Sequence, residues 1–245
     1  MGPFSYLYKE VTDSTMDDAR LAVKSSLGSG TVCRAGKQNS GRGRMPGRRW
    51  EDDGHALLFT LVLHRDDVSA SYPLTQTLAL ALCIRLERGY GLSPMIKWPN
   101  DVLVDSMKIA GILVETEGDY FLAGIGLNLS QRNFPSGLRT PATSLSRILD
   151  SSTSKKAILS AADELPPLLE TIKDVLDEKP KTVEINRRLA GVGQPVSLLL
   201  GDPSRNLRLS GINGGIAADG ALIVELPDGG QEEVYSGEIL SSKIP

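Results

Sequence analysis

Histidine and cysteine are scarce, with two of each in 245 residues. Cys33 and Cys83 stand in apolar surroundings and make no metal-binding pattern. They read as two buried thiols of a reducing cytoplasm. Long apolar runs are missing as well. The longest that matters, ALLFTLVL from Ala56 to Leu63, is far too short to span a bilayer. The first residues, MGPFSYLYKE, lack the basic start and apolar core of a signal peptide. Tyr6 stands where N-myristoylation needs Ser or Thr. Nor is there a strong excess of one charge: a net −3 and a pI of about 5.5 count against a dedicated nucleic-acid binder. There is no repeat, linker or low-complexity tract. With 40% hydrophobic and 23% charged residues, the chain can bury a core as one large domain, or one large and one small.

What is present is an α/β pattern followed by short strands. Tyr6–Val11 alternates as a strand, and Asp13 and Ser14 offer caps for a helix to about Val23. Thr31–Ala35 and Leu57–Leu63 are further strands, and Tyr72–Arg88 repeats apolar residues at helical spacing. Extended segments follow at Met95–Lys97, Val102–Val104, Ile109–Glu115 and Phe121–Leu129. Lys155–Leu189 reads as helical, broken at Pro166-Pro167 and near Pro180. From Gly191 only short strands remain, PVSLLL, NLRLSGI and ALIVEL, which suggest a small barrel. The expected organisation is an α/β domain over 1–190 and a β domain over 191–245.

One stretch departs from the even charge balance. Residues 36–49, GKQNSGRGRMPGRR, hold five cations, four glycines and no acid. Glycines lose the most backbone entropy on ordering, and the cations repel one another. An anion inside the loop would resolve both; a solvated basic loop or an RG-rich nucleic-acid contact are the other readings. The loop is no Walker cradle, because Thr31 replaces the first glycine and Gln38 follows Lys37. GIGLNL at Gly124–Leu129 lacks the third glycine of a dinucleotide fingerprint. KWPND at Lys97–Asp101 reads locally as a turn between strands, with Trp98 in the core. KIAGILVE at Lys108–Glu115 places Gly111 inside a β-branched run, as where something approaches the backbone closely. DSTMDDAR at Asp13–Arg20 reads as a capped helix start whose hydroxyls could also hold a polar head group.

In order, DST, GRGR…GRRW, KWPND, KIAGILVE and GIGLN resemble the biotin protein ligase family, and GQPVSLLLGD, DGALIVEL and SGEI extend the likeness to about Leu240. The resemblance implies an α+β fold: a class II synthetase-like catalytic domain with a mixed sheet and flanking helices, plus an SH3-like β-barrel. It implies ATP-dependent ligation of biotin to a lysine of a biotin carboxyl carrier protein through biotinyl-5′-AMP. Lys108 and Arg44 would be catalytic. Ser14, Thr15, Gln38, Arg42 and Gly43 would join them in holding biotin. Arg42, Arg48, Trp50, Lys97, Asn100 and Asn128 would meet the nucleotide. Mg²⁺ would accompany ATP through phosphate oxygens, without a protein metal site. Activating a carboxylate needs no general base, which suits two histidines. Repressor members carry an N-terminal helix-turn-helix domain, for which there is no room before Asp13, so no DNA partner is expected. No membrane partner is expected either; a cytoplasmic location is, and a homodimer is left open. Met16, the Met45-Pro46 insertion and Ser242 depart from the common pattern. The rival readings are a lipoate or octanoate ligase-like enzyme, one form of which needs an accessible cysteine, and a non-catalytic biotin-binding relative.

Overall fold

The computed structural model describes residues 2–45, 47–51, 53–68, 73–152, 159–178, 182–201 and 206–242. The larger unit is a seven-stranded mixed sheet of order β1-β2-β3-β7-β6-β5-β4. Its strands are β1 (Ser5–Thr12), β2 (Thr31–Gln38), β3 (Ala56–His64), β4 (Met95–Lys97), β5 (Asp101–Val104), β6 (Met107–Glu117) and β7 (Tyr120–Asn128). Only the β1–β2 pair is parallel. β3 lies inside the sheet between β2 and the central β7, and its run, apolar but for Thr60, is buried on both faces down to Leu63.

The two faces differ because side chains alternate along each strand. Phe59, Leu61 and Leu63 of β3 pack with Ile125 and Leu127 of β7 in the main core. Helix α2 (Leu74–Tyr90) and helix α4 (Ala161–Glu178) contribute to the same core. On the opposite face, Val62 and Leu122 pack with Met16, Ala19 and Ala22 of helix α1 (Thr15–Lys24). Ser14 caps α1, its hydroxyl accepting from the Met16 N–H at 3.3 Å. The helical spacing of 72–88 thus marks α2, although Tyr72 lies outside the described residues.

The expected break at Pro166-Pro167 does not occur: α4 runs through both prolines. Their rings disturb only the carbonyls of Ala162 and Asp163, in the helix's first turn. Beyond them, Leu168, Leu169 and Ile172 are buried. Glu164, also buried, accepts two bonds of 2.9 Å from Arg85 and one of 2.5 Å from the Tyr90 hydroxyl, tying α4 to α2. Lys155–Ile158 and Pro180 lie outside the described residues. Two shorter helices, α3 (Leu145–Ser152) and α5 (Thr182–Arg188), complete this unit. The sequence reading passed over α3, which covers barely two turns.

The C-terminal strands are β8 (Pro195–Leu200), β9 (Arg208–Ile216), β10 (Leu222–Glu225), β11 (Gln231–Val234) and β12 (Gly237–Ser242). They form a separate antiparallel sheet of order β11-β10-β9-β8-β12. Its strand pairing is open rather than closed into the expected barrel: among the described residues β11 and β12 are not paired with each other.

Candidate active site

Alternation places three glycines where side chains would otherwise stand. Gly124 and Gly126 of β7 share the α1 face, while Ile125 and Leu127 point into the core. Gly111 of β6 pairs with Gly126 across the ladder. These glycines make a floor that larger groups lie against. A Cβ on Gly126 would come within 2.7 Å of the Trp50 indole, and one on Gly124 within 2.7 Å of Met16 Sδ. One on Gly111 would meet Lys108 Nζ at 3.0 Å and Trp50 at 3.1 Å.

Two adjoining cavities lie beside Trp50 and Lys108, and the floor glycines line the smaller of them. The smaller, about 60 Å³, is lined by Ser14, Thr15, Met16 and Gln38 at its polar end and by Gly111, Gly124 and Gly126 below. The larger, about 260 Å³, includes Arg48, Lys97, Asn128 and Thr140 in its walls, with Gly237 and Glu238 of β12 closing one side. Gly43, Arg44, Trp50, Asn100 and Lys108 line both. Lys108 therefore stands at the junction. Its Nζ is 2.6 Å from Asp101 Oδ1 and 5.6 Å from the centre of the Trp50 ring. The β5–β6 hairpin sets this pairing, with a bulge beside Lys108 that shifts the register.

Every proposed contact residue lines one or both cavities, but several already have protein partners. Gln38 Oε1 accepts from Thr15 N at 2.7 Å and from Thr15 Oγ1 at 3.0 Å, fixing the two side by side. Asn100 donates to the Ile112 carbonyl at 2.8 Å and Asn128 to that of Thr143 at 2.9 Å, so both amides hold loops in place. Lys97 donates to Thr140 Oγ1 at 2.7 Å, and burial lowers its pKa from the ordinary lysine value. Burial likewise lowers that of Arg44, whose Nη1 reaches the Gly237 carbonyl at 3.3 Å. The Trp50 indole crosses Gly111 and Gly126 instead of lying over the larger cavity alone, and its buried Nε1 has no hydrogen-bond partner among the described residues.

The basic loop already has partners within the protein. It folds as a small hairpin: Arg42 bridges Arg49, Gly43 N–H donates to Arg48, and Trp50 N–H donates to Gly41. Protein carboxylates neutralise part of its charge. Asp17 takes both ends of the Arg42 fork at 2.8 and 2.9 Å, and Glu238 takes Arg48 at 2.8 Å. Pro46, half of the Met45-Pro46 insertion, lies outside the described residues. The hydrogen bond from Arg42 holds the Asp17 carboxyl below its ordinary pKa. A carboxyl lowered on folding stabilises fully above its unfolded value and loses that contribution as pH falls through the lower, folded value. Arg42 should therefore be released from Asp17 only under strongly acidic conditions. A carbon-13 titration of Asp17 should show a midpoint below about 3.9; one at or above it would mean that the fork does not hold in solution.

Asp101, Asp17, Glu238, Arg139 and Thr140 went unassigned in the sequence reading. Asp101 and Glu238 stand inside motifs already singled out, KWPND and SGEI. Arg139 and Thr140 have no local signal, because only folding brings their loop to the cavity.

Fold and site together present two adjoining cavities, with a lysine and an arginine among the residues that line both. Residues 8–131 match the Biotin/lipoate A/B protein ligase family and residues 191–240 the Biotin protein ligase C terminal domain. The chain belongs to the biotin/lipoate A/B protein ligase family. It is 32% identical over 244 residues to the biotin--[acetyl-CoA-carboxylase] ligase of Paracoccus denitrificans, covering 92% of this chain and 98% of that one. It is 35% identical over 150 residues to the bifunctional ligase/repressor BirA of Bacillus spizizenii, covering 58% of this chain and 46% of that one, about half that relative's length. The structure is similar to that of the Aquifex aeolicus biotin protein ligase in complex with biotin and ATP. There the TM-score is 0.81 at 27% identity, over 98% of this chain and 99% of that one.

Proposed function

We propose that this protein joins biotin to a lysine of a carboxyl carrier domain, using ATP and passing through biotinyl-5′-AMP. The observation that carries the reading is the meeting of the two cavities at Lys108 and Arg44. Biotin's ring system enters the smaller one, its polar atoms toward Ser14, Thr15 and Gln38. Entry enlarges the space, because about 60 Å³ is smaller than an ordinary ligand site. ATP takes the larger cavity, against Arg48, Lys97, Asn100 and Asn128.

A biotin carboxylate oxygen attacks the α-phosphorus, the bond to the leaving pyrophosphate breaks, and a mixed anhydride remains. Both reactants are anions, so the chemistry needs positive charge at the join in a site shielded from water. Lys108 and Arg44 supply it. The carrier lysine amine then attacks the anhydride carbonyl and AMP leaves. Mg²⁺ would enter with the triphosphate and offset its charge. It would be held by phosphate oxygens, in keeping with a site whose carboxylates Asp101 and Glu238 are already paired, to Lys108 and to Arg48 and Arg139. Cys33 supports the ligase reading over thioester chemistry, since burial pushes its thiol up to about 11 and it packs beneath α1, in the lining of neither site cavity. The catalytic unit is residues 1–190 and the small sheet unit 191–245. The setting is the cytoplasm, and no step calls on DNA or a second copy.

Incubation with labelled biotin, ATP and a carrier domain tests the proposal. Label should reach a carrier lysine, with one AMP and one pyrophosphate released per transfer. No pyrophosphate release with biotin and ATP together would overturn it.

A further inference from the structure

Glu238 stands on β12 of the C-terminal sheet, yet it faces the larger cavity. One carboxylate oxygen takes Arg48 Nη2 at 2.8 Å and the other takes Arg139 Nη1. The two arginines come from different loops that both line that cavity. Each is about half exposed, whereas the Glu238 side chain is only 21% exposed. Two guanidinium groups brought to one place repel each other unless a negative charge stands between them. Here that charge comes from the other sheet. Gly237 makes the approach possible, since a Cβ there would lie 2.7 Å from the Leu199 carbonyl of β8.

We propose that Glu238 is a positioning residue, clamping Arg48 and Arg139 together so that a triphosphate meets both forks at once. This rests on the nucleotide reading of the larger cavity. Each fork has five N–H donors and gives few of them to Glu238, so the rest are available to phosphate oxygens. Without the carboxylate the arginines separate, and the entropy of regathering two long side chains falls on nucleotide binding. Biotin binding, in the other cavity, is untouched.

Calorimetry on the full chain with a non-hydrolysable ATP analogue, and separately with biotin, tests the clamp. Glu238→Gln should weaken analogue binding about 5- to 10-fold and leave biotin affinity unchanged. With Arg48 and Arg139 both changed to Ala, adding Glu238→Gln should cause no further loss, because the carboxylate it removes would stand bare beside the phosphates. Three results would overturn the clamp alone: normal analogue binding by Glu238→Gln, equal losses for biotin and analogue, or a full effect with both arginines gone. A wild-type protein that binds no analogue would overturn the nucleotide reading, and the clamp with it.

Discussion

Lys108→Ala is expected to slow biotinyl-AMP formation by a factor on the order of 10²–10³ with the fold intact. The ammonium stands at the join of the two cavities, where a carboxylate and a phosphate would have to approach. Water cannot replace it at comparable strength, because water must reorient while a positioned ammonium need not. The loss has a second part. Asp101 lies 2.6 Å from Lys108 Nζ, and without its partner it would present a bare carboxylate to the incoming phosphates. Changing Asp101 to Ala in the Lys108→Ala background should therefore recover part of the rate, though not all. Pyrophosphate release measured with biotin and ATP separates the two parts. Near-normal adenylate formation by Lys108→Ala would reduce the lysine to a surface partner of Asp101.

Trp98→Ala should destabilise the protein by about 3–5 kcal/mol, the usual range for removing a fully buried large aromatic. Trp98 is 2% exposed and packs in the main core. Its indole N–H also crosses to the C-terminal sheet unit, donating to the Gly220 carbonyl at 3.2 Å. Gly220 has φ +90°, and a Cβ there would lie 2.3 Å from Pro73, so this corner has no room to close over a smaller side chain. Trp98→Phe keeps most of the ring contacts and loses one hydrogen bond, worth about 1 kcal/mol. Equilibrium denaturation of the two variants gives the comparison. Similar stabilities would show that the hydrogen bond to Gly220, rather than ring burial, is what Trp98 contributes.

Much of the architecture was legible along the chain because its strands and helices carry strong local signals. The run from Leu57 to Leu63 reads as a strand, and it is one, buried inside the sheet between β2 and β7. Ser14 reads as a cap and caps α1. Elsewhere the local signal misled. Two adjacent prolines are the strongest helix breakers available, yet α4 continues through them because their disturbance is confined to its first turn and its apolar stripe has α2 to pack against. The C-terminal strands were evident from their turns, but strand edges say nothing about closure, and the sheet pairs as an open one.

By itself the sequence determined the motifs, their order and the sign of charge that the basic loop carries. Those depend on which residues are present and on neighbours within a few positions. Only the tertiary structure decided what neutralises that charge, which cavity each residue lines and how the two sheets meet. Arg42 finds Asp17 across 25 residues and Arg48 finds Glu238 across 190. No spacing rule reaches that far, because such pairings follow from strand register and from the face each side chain takes. The same register sets Gly111 beside Gly126 and so leaves the floor bare. Shifting either strand by one residue would send the glycines into the core and a bulky side chain into the site.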